Sequence, residues 1–175
     1  MKRFLFAVLA TATAAVHAQH GGYAGEQSRE IKALSAEQIN EYQSGAGMGY
    51  AKAAELNRFP GPMHVLELAD KLGLSEEQRA TTKELMDQHK RQARAIGAEL
   101  VESERALEVL FEKGTVDEAM LARVVRASAA LEGEYRLSHL ETHRRMRALL
   151  TDEQTKRYDA LRGYSAEAPA HQHRH

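Results

Sequence analysis

Leu74-Ser75-Glu76-Glu77-Gln78 and Leu150-Thr151-Asp152-Glu153-Gln154 are two copies of one pentapeptide, and what lies between them decides the fold. In each copy an apolar residue precedes a Ser or Thr, and a Gln follows three places later. That is a capping box with an apolar staple, the local signature of a helix start. Between the copies run two long patterns of apolar residues in alternating steps of three and four, broken at Lys113-Gly114-Thr115-Val116. Such steps give one helical face that packs against another helix. The first helix is expected from Ser75 to Glu112, about 57 Å at about 1.5 Å per residue. Its inner stripe is expected to be Leu85, His89, Gln92, Ile96, Leu100, Ser103, Leu107 and Leu110, with Phe111 beside it. Gly114 suits a left-handed cap, and Asp117 or Thr115 starts the return helix. That helix runs to about Leu149, with Leu121, Val124, Val125, Ser128, Leu131, Tyr135, Met146 and Leu149 facing inward. The expected fold is all-α: a long antiparallel helical hairpin with short flanking helices.

Outward from the hairpin, Leu34-Ser35-Ala36-Glu37-Gln38 is a third copy of the pentapeptide and starts a short helix. Another short helix is expected over Tyr50 to Asn57, then a turn at Phe59-Pro60-Gly61-Pro62 and a single helix from Met63 to Leu72. Thr151 caps a last helix that Gly163 stops, with Tyr158 and Leu161 as its buried candidates.

The ends of the chain bound its compartment. Residues 1–18 read as a secretory signal peptide: Lys2 and Arg3, an apolar run from Phe4 to Val16 too short to span a bilayer, then Val16-His17-Ala18 before the cut. Residues 19–33 are expected to be a disordered linker, 34–164 the helical domain, and 165–175 a disordered tail containing His171, His173 and His175. Without Lys2 and Arg3 the 24 basic residues become 22, against 25 acidic, a net charge of −3. This excludes a general nucleic-acid binder, which needs a basic excess. The chain has no Cys, hence no disulfide, no thiolate metal site and no covalent c-type haem. No Ser/His/Asp arrangement, phosphate-cradling loop or paired carboxylate motif stands out, so no enzyme activity is expected.

The paired elements at Leu74, Ser75, Gln78 and Leu150, Thr151, Gln154 resemble the LTxxQ motifs of the Spy/CpxP-type periplasmic proteins. That group includes envelope-stress chaperones, zinc-resistance-associated proteins and heavy-metal sensors. The stretches Phe59 to Ala69 and Gly47 to Asn57 are also similar to segments of one branch, and the resemblance covers roughly residues 34–164. It implies a bent hairpin that dimerises into a cradle, a periplasmic location, and unfolded clients or a membrane sensor as partners, with no span of the membrane. The function it implies is that of a chaperone-like envelope-stress protein, the alternative being a heavy-metal resistance or sensor protein.

The histidines carry that alternative. His139, His143 and Met146 share one helix face. If the turn is centred between Gly114 and Thr115, His89 lies level with residue 140 and Met86 with His143. His89, His139, His143, Met86 and Met146 then converge near the open end of the hairpin, and His64, with Glu67, approaches from the preceding helix. Imidazole with thioether suits copper, and imidazole with carboxylate suits zinc or nickel. The competing reading is interface or solvent histidines and methionine used as core filler. Gln19-His20 at a new N-terminus and the histidine tail are further metal-capturing candidates. Non-covalent haem between His and Met is a third option. Arg144, Arg145 and Arg147, with Lys156 and Arg157, read either as cations favoured near a helix C-terminus or as a docking surface for acidic clients.

Overall fold

A computed structural model describes residues 23–114 and 116–165. The signal-peptide reading, His20 and the three tail histidines lie outside the described residues. Seven α-helices and no strands occur among those described: α1 (Ala36–Ser44), α2 (Lys52–Glu55), α3 (Pro62–Glu67), α4 (Ala69–Leu72), α5 (Glu76–Glu112), α6 (Glu118–Leu149) and α7 (Asp152–Arg162). A 3-10 turn at Glu26–Ser28 precedes them. The two long helices, 37 and 32 residues, form the expected hairpin.

Every helix start read from a pentapeptide is made as a full capping box: Ser35 with Gln38, Ser75 with Gln78, Thr151 with Gln154. Asp117 caps α6 by accepting from the Met120 amide at 2.8 Å. Gly73, at φ +65°, ends α4 in the left-handed region, where a Cβ is disfavoured.

The core has two apolar clusters. The first gathers Val65, Ala69, Leu72, Leu74, Leu85, Met146, Leu150 and Tyr158 at the open end of the hairpin. The second gathers Ile31, Leu34, Tyr42, Ala93, Leu100, Val101 and Tyr135 further along it. Beyond them the hairpin thins: from Glu102 to Glu134 no described side chain is buried. There the helices touch through pairs such as the Ser103–Ser128 hydroxyl bond at 2.6 Å.

Six expectations are corrected: Leu161, expected to be buried, is 41% exposed, and Val125, expected to face inward, is 47% exposed; the other four concern the course of the chain and the face of α5. Residues 23–33 are not a free linker: Ile31 is 1% exposed in the second cluster. Lys32 pairs with Glu108 and Glu30 with Arg105, tying this segment to α5. The helix expected over Met63–Leu72 breaks at Leu68 (φ −100°, ψ 11°), and Val65, Ala69 and Leu72 all pack in the first cluster. The helix expected over Tyr50–Asn57 shrinks to Lys52–Glu55. The inner stripe of α5 is also shifted. Gln92 is exposed, while Ala93, Gly97 and Val101 are buried, because α5 packs on α1 as well as on α6.

Candidate functional site: a motif clasp and a histidine-lined cleft

The two pentapeptides meet. Each begins a helix at the open end of the hairpin, and Leu74 and Leu150, both 6% exposed, sit in the first cluster as the apolar staples of their caps. Gln78 and Gln154 then face one another. Nε2 of Gln78 donates to Oε1 of Gln154 at 2.9 Å, and Nε2 of Gln154 donates back to Oε1 of Gln78 at 3.0 Å. Each Oε1 also accepts the amide of its own cap residue, Ser75 or Thr151, at 3.0 Å. The remaining protons go to the Leu149 carbonyl (2.9 Å) and the Gly73 carbonyl (3.4 Å). Both side-chain amides therefore use two donors and two acceptor positions. A glutamate would cap a helix equally well but has no N–H to give. The pairing uses N–H groups that a glutamate in either copy would lack.

The arginines around the second pentapeptide are engaged locally. Arg147 donates to the Leu150 carbonyl at 3.2 Å and pairs with Asp152. Arg144 pairs with Glu141, and Arg145 donates to Gln88 of α5 at 3.0 Å.

Between the apolar clusters lies a polar layer. His89 of α5 and His139 of α6 meet directly, Nε2 to Nδ1 at 3.0 Å, as the level-height rule requires for helices rising equally from one turn. Thr142 and Ser138 beside them return their hydroxyls to their own helix, at 2.7 Å to the Ser138 carbonyl and 2.8 Å to that of Tyr135. His139 also lies against the ring of Tyr135, 4.8 Å between centroids. Tyr135 in turn donates to the Ala46 carbonyl at 2.6 Å, and burial raises its phenol pKa to about 12. Nδ1 of His89 and Nε2 of His139 are buried without a partner. Burial lowers both imidazoles to about 4, reinforced by His143 and, for His139, by His89.

Since the unfolded chain titrates these histidines near 6.5, the folded state binds fewer protons below that pH. Stability is therefore complete above about pH 6.5 and declines as pH falls toward 4. With His89 half-exposed, the loss between pH 7 and 4.5 is expected to be on the order of 2–3 kcal/mol for the pair. Urea midpoints across that range measure it. His139→Leu, which leaves one titrating imidazole, should flatten the slope.

The layer opens into a cleft of about 550 Å³, walled by α5, α6, the Ser44–Gly49 loop, α2 and the start of α3. His89, His139, His143 and His64 line it, with Met48, Met63 and Met86. His143 is held at its edge: Nδ1 lies 2.7 Å from the Phe59 carbonyl and 3.7 Å from Oε2 of Glu55. An alanine methyl at Gly61 would fall 2.9 Å from that ring, so Gly61 leaves the space the imidazole fills. Burial, followed by the charge of Arg162, lowers the pKa of His64. Glu55 ties α2 to α7 and to the turn before α3. It accepts from the Tyr158 hydroxyl and the Gly61 amide and lies 3.7 Å from Nε of Arg162. Tyr158→Phe removes a bond to a charged acceptor in a fully buried ring and should lower stability by about 1.5–3 kcal/mol by urea titration.

The six candidate ligands thus divide. His89 and His139 touch. His143, His64 and Met86 line the same cleft. Met146 is wholly buried in the first cluster, one turn beyond His143 and away from the cleft lining. Among the described residues no three His, Cys, Asp or Glu side chains converge on one point as a metal site. The sequence offered no sign of Met48 and Met63 at the cleft, because they lie on separate short elements. Glu55 was missed for the same reason.

Fold and site together define a small helical-hairpin protein whose paired caps lock onto each other at the open end. The chain matches the LTXXQ motif family over residues 62–162 and belongs to it, the family of Spy/CpxP-like periplasmic proteins. No curated protein and no solved structure gives a significant match. No helix among the described residues is long and apolar enough to cross a membrane.

Proposed function

We propose that this is an exported, periplasmic, chaperone-like envelope-stress protein that binds partly unfolded clients, acting as a homodimer. The thin distal hairpin carries this reading. Phe111 is 60% and Val125 47% exposed, and Leu107, Leu110, Leu121 and Val124 are only half-buried. A single chain leaves these apolar side chains partly or largely open to solvent, and exposed apolar surface is what a client-binding site requires. The test is suppression of aggregation of a denatured client by the purified protein. A Phe111→Ser, Val125→Ser variant is expected to lose most of the suppression. Its stability should change by less than about 0.5 kcal/mol per site, since neither side chain is buried. No suppression by the wild-type protein at several-fold molar excess removes the reading.

A second reading is metal binding, as in a resistance or sensor protein. It is favoured by one observation: the directly paired His89 and His139 open onto a cleft carrying two more histidines and three methionines.

A further inference from the structure

We infer that the cleft binds a soft monovalent metal ion of the cuprous class, held by His89, His139 and the thioether of Met86. This rests on the metal-binding reading and names the metal that reading leaves open.

Two neutral imidazoles joined by one hydrogen bond leave one N–H and one lone pair over, and here both outer nitrogens are buried without partners. Buried unsatisfied polar atoms cost about 1–3 kcal/mol each. His139 is 4% exposed, so water does not relieve its share. Leucine-like residues at 89 and 139 would join the two apolar clusters into one. The chain instead keeps a pair of nitrogen donors facing each other across the hairpin.

The donor set selects the metal. Zinc and nickel sites are completed by carboxylate, thiolate or further imidazole, and no third such side chain converges on the pair. Glu55, the acid of the cleft, is engaged by Tyr158, Gly61 and Arg162. His143 is turned to the Phe59 carbonyl. His64 lines the cleft but does not converge with the pair, and the other donors of the lining are the methionine sulfurs. Met86 stands one turn before His89 on α5 and lines the same cleft, so the two side chains are neighbours on one helix face. Two neutral imidazoles and a thioether form a soft, uncharged set that suits Cu(I).

The geometry needs little movement. A three-coordinate ion at about 2.0–2.1 Å from each nitrogen sets them about 3.5 Å apart. The present 3.0 Å must open by about half an ångström for the ion to enter. The proton now shared between Nε2 and Nδ1 moves to the outer nitrogen that lacks one. Both rings stay neutral and no proton is released.

The experiment is an anaerobic competition titration with Cu(I) against a chromogenic chelator. Zn(II) and Ni(II) are run in parallel, on full-length mature protein carrying His171→Ser, His173→Ser and His175→Ser. One Cu(I) per chain is expected, bound more tightly than either divalent ion. Met86→Leu, which conserves volume, should weaken Cu(I) at least about tenfold and remove sulfur from the X-ray absorption spectrum of the bound ion. His139→Leu should abolish the site. Cu(I) affinity unchanged in Met86→Leu, or Zn(II) bound more tightly than Cu(I) at His89 and His139, overturns the cuprous assignment while metal binding stands. No uptake of any of the three metals overturns both. Neither result bears on client binding, which the aggregation assay reads separately.

Discussion

Replacing Gly97 with alanine is expected to lower stability by about 3–4 kcal/mol, the range of severe overpacking where backbone must move. The added methyl would lie 2.1 Å from the Tyr42 carbonyl oxygen, 2.7 Å from its carbon and 3.2 Å from Cε2 of Tyr135. The first two are backbone atoms, so no rotamer change relieves the clash. By helix propensity alone the same substitution would stabilise α5 by about 1 kcal/mol, so the sign of the effect tests the packing. The C-terminal end of α1 reaches α5 through a notch made by Ala93 and Gly97. At Gly45, the cap of α1, an added Cβ would lie 3.1 Å from Cβ of Ala93 and 3.3 Å from the backbone nitrogen of Arg94, so the two helices are already close there. Displacing α1 would also disturb the Tyr42–Tyr135 edge contact, 5.3 Å between centroids. Urea denaturation checks the magnitude. Near-ultraviolet circular dichroism of the tyrosine cluster should show where the damage lies.

Gln78→Glu is expected to cost about 2–3 kcal/mol, although glutamate completes a capping box as well as glutamine does. The new carboxylate still accepts the Ser75 amide but cannot donate to Gln154 or to the Leu149 carbonyl, which now receive bonds at 2.9 Å. It also places an acceptor against Oε1 of Gln154. The equivalent change at Ser35's box, Gln38→Glu, is the control. Gln38 has only the local cap bonds, and its substitution should stay within about 0.5 kcal/mol. The double change Gln78→Glu, Gln154→Glu sets two carboxylates face to face. It should cost more than the two single changes added together at pH 7 and recover toward pH 4 as one carboxyl protonates. Additive costs, or a Gln38→Glu variant as damaged as Gln78→Glu, would mean that the glutamines act only as caps.

Much of the fold was legible because its signals are local. Cap residues, glycine stops and the step pattern of Leu85, Leu100, Tyr135 and Met146 each act over one or two turns. The meeting of His89 and His139 followed from counting outward from one turn. Contacts made by chain segments distant in sequence were not legible. Nothing near Gly97 announces that Tyr42 will cross it, and Ile31 sits in a polar stretch whose partners, Glu108 and Arg105, lie some 75 positions away. The cleft failed to show for the same reason. Met48, Glu55, Gly61 and Met63 belong to short elements whose placement depends on the hairpin already being there. Gln78 and Gln154 were read as two separate caps. Their pairing required knowing that both helix starts lie side by side.

The uneven packing along the hairpin has a consequence for how the molecule opens. One end is shut by the paired glutamines and a full apolar cluster, while the stretch from Glu102 to Glu134 buries no described side chain. Amide hydrogen exchange should therefore be slowest in α5 and α6 near Leu85 and Met146 and quicken stepwise toward Gly114, in separable cooperative units. The loosening is therefore one-sided: the end at which the chain turns from α5 into α6 comes apart first, while the clasped end, where no peptide bond joins the two helices, is the last to unfold.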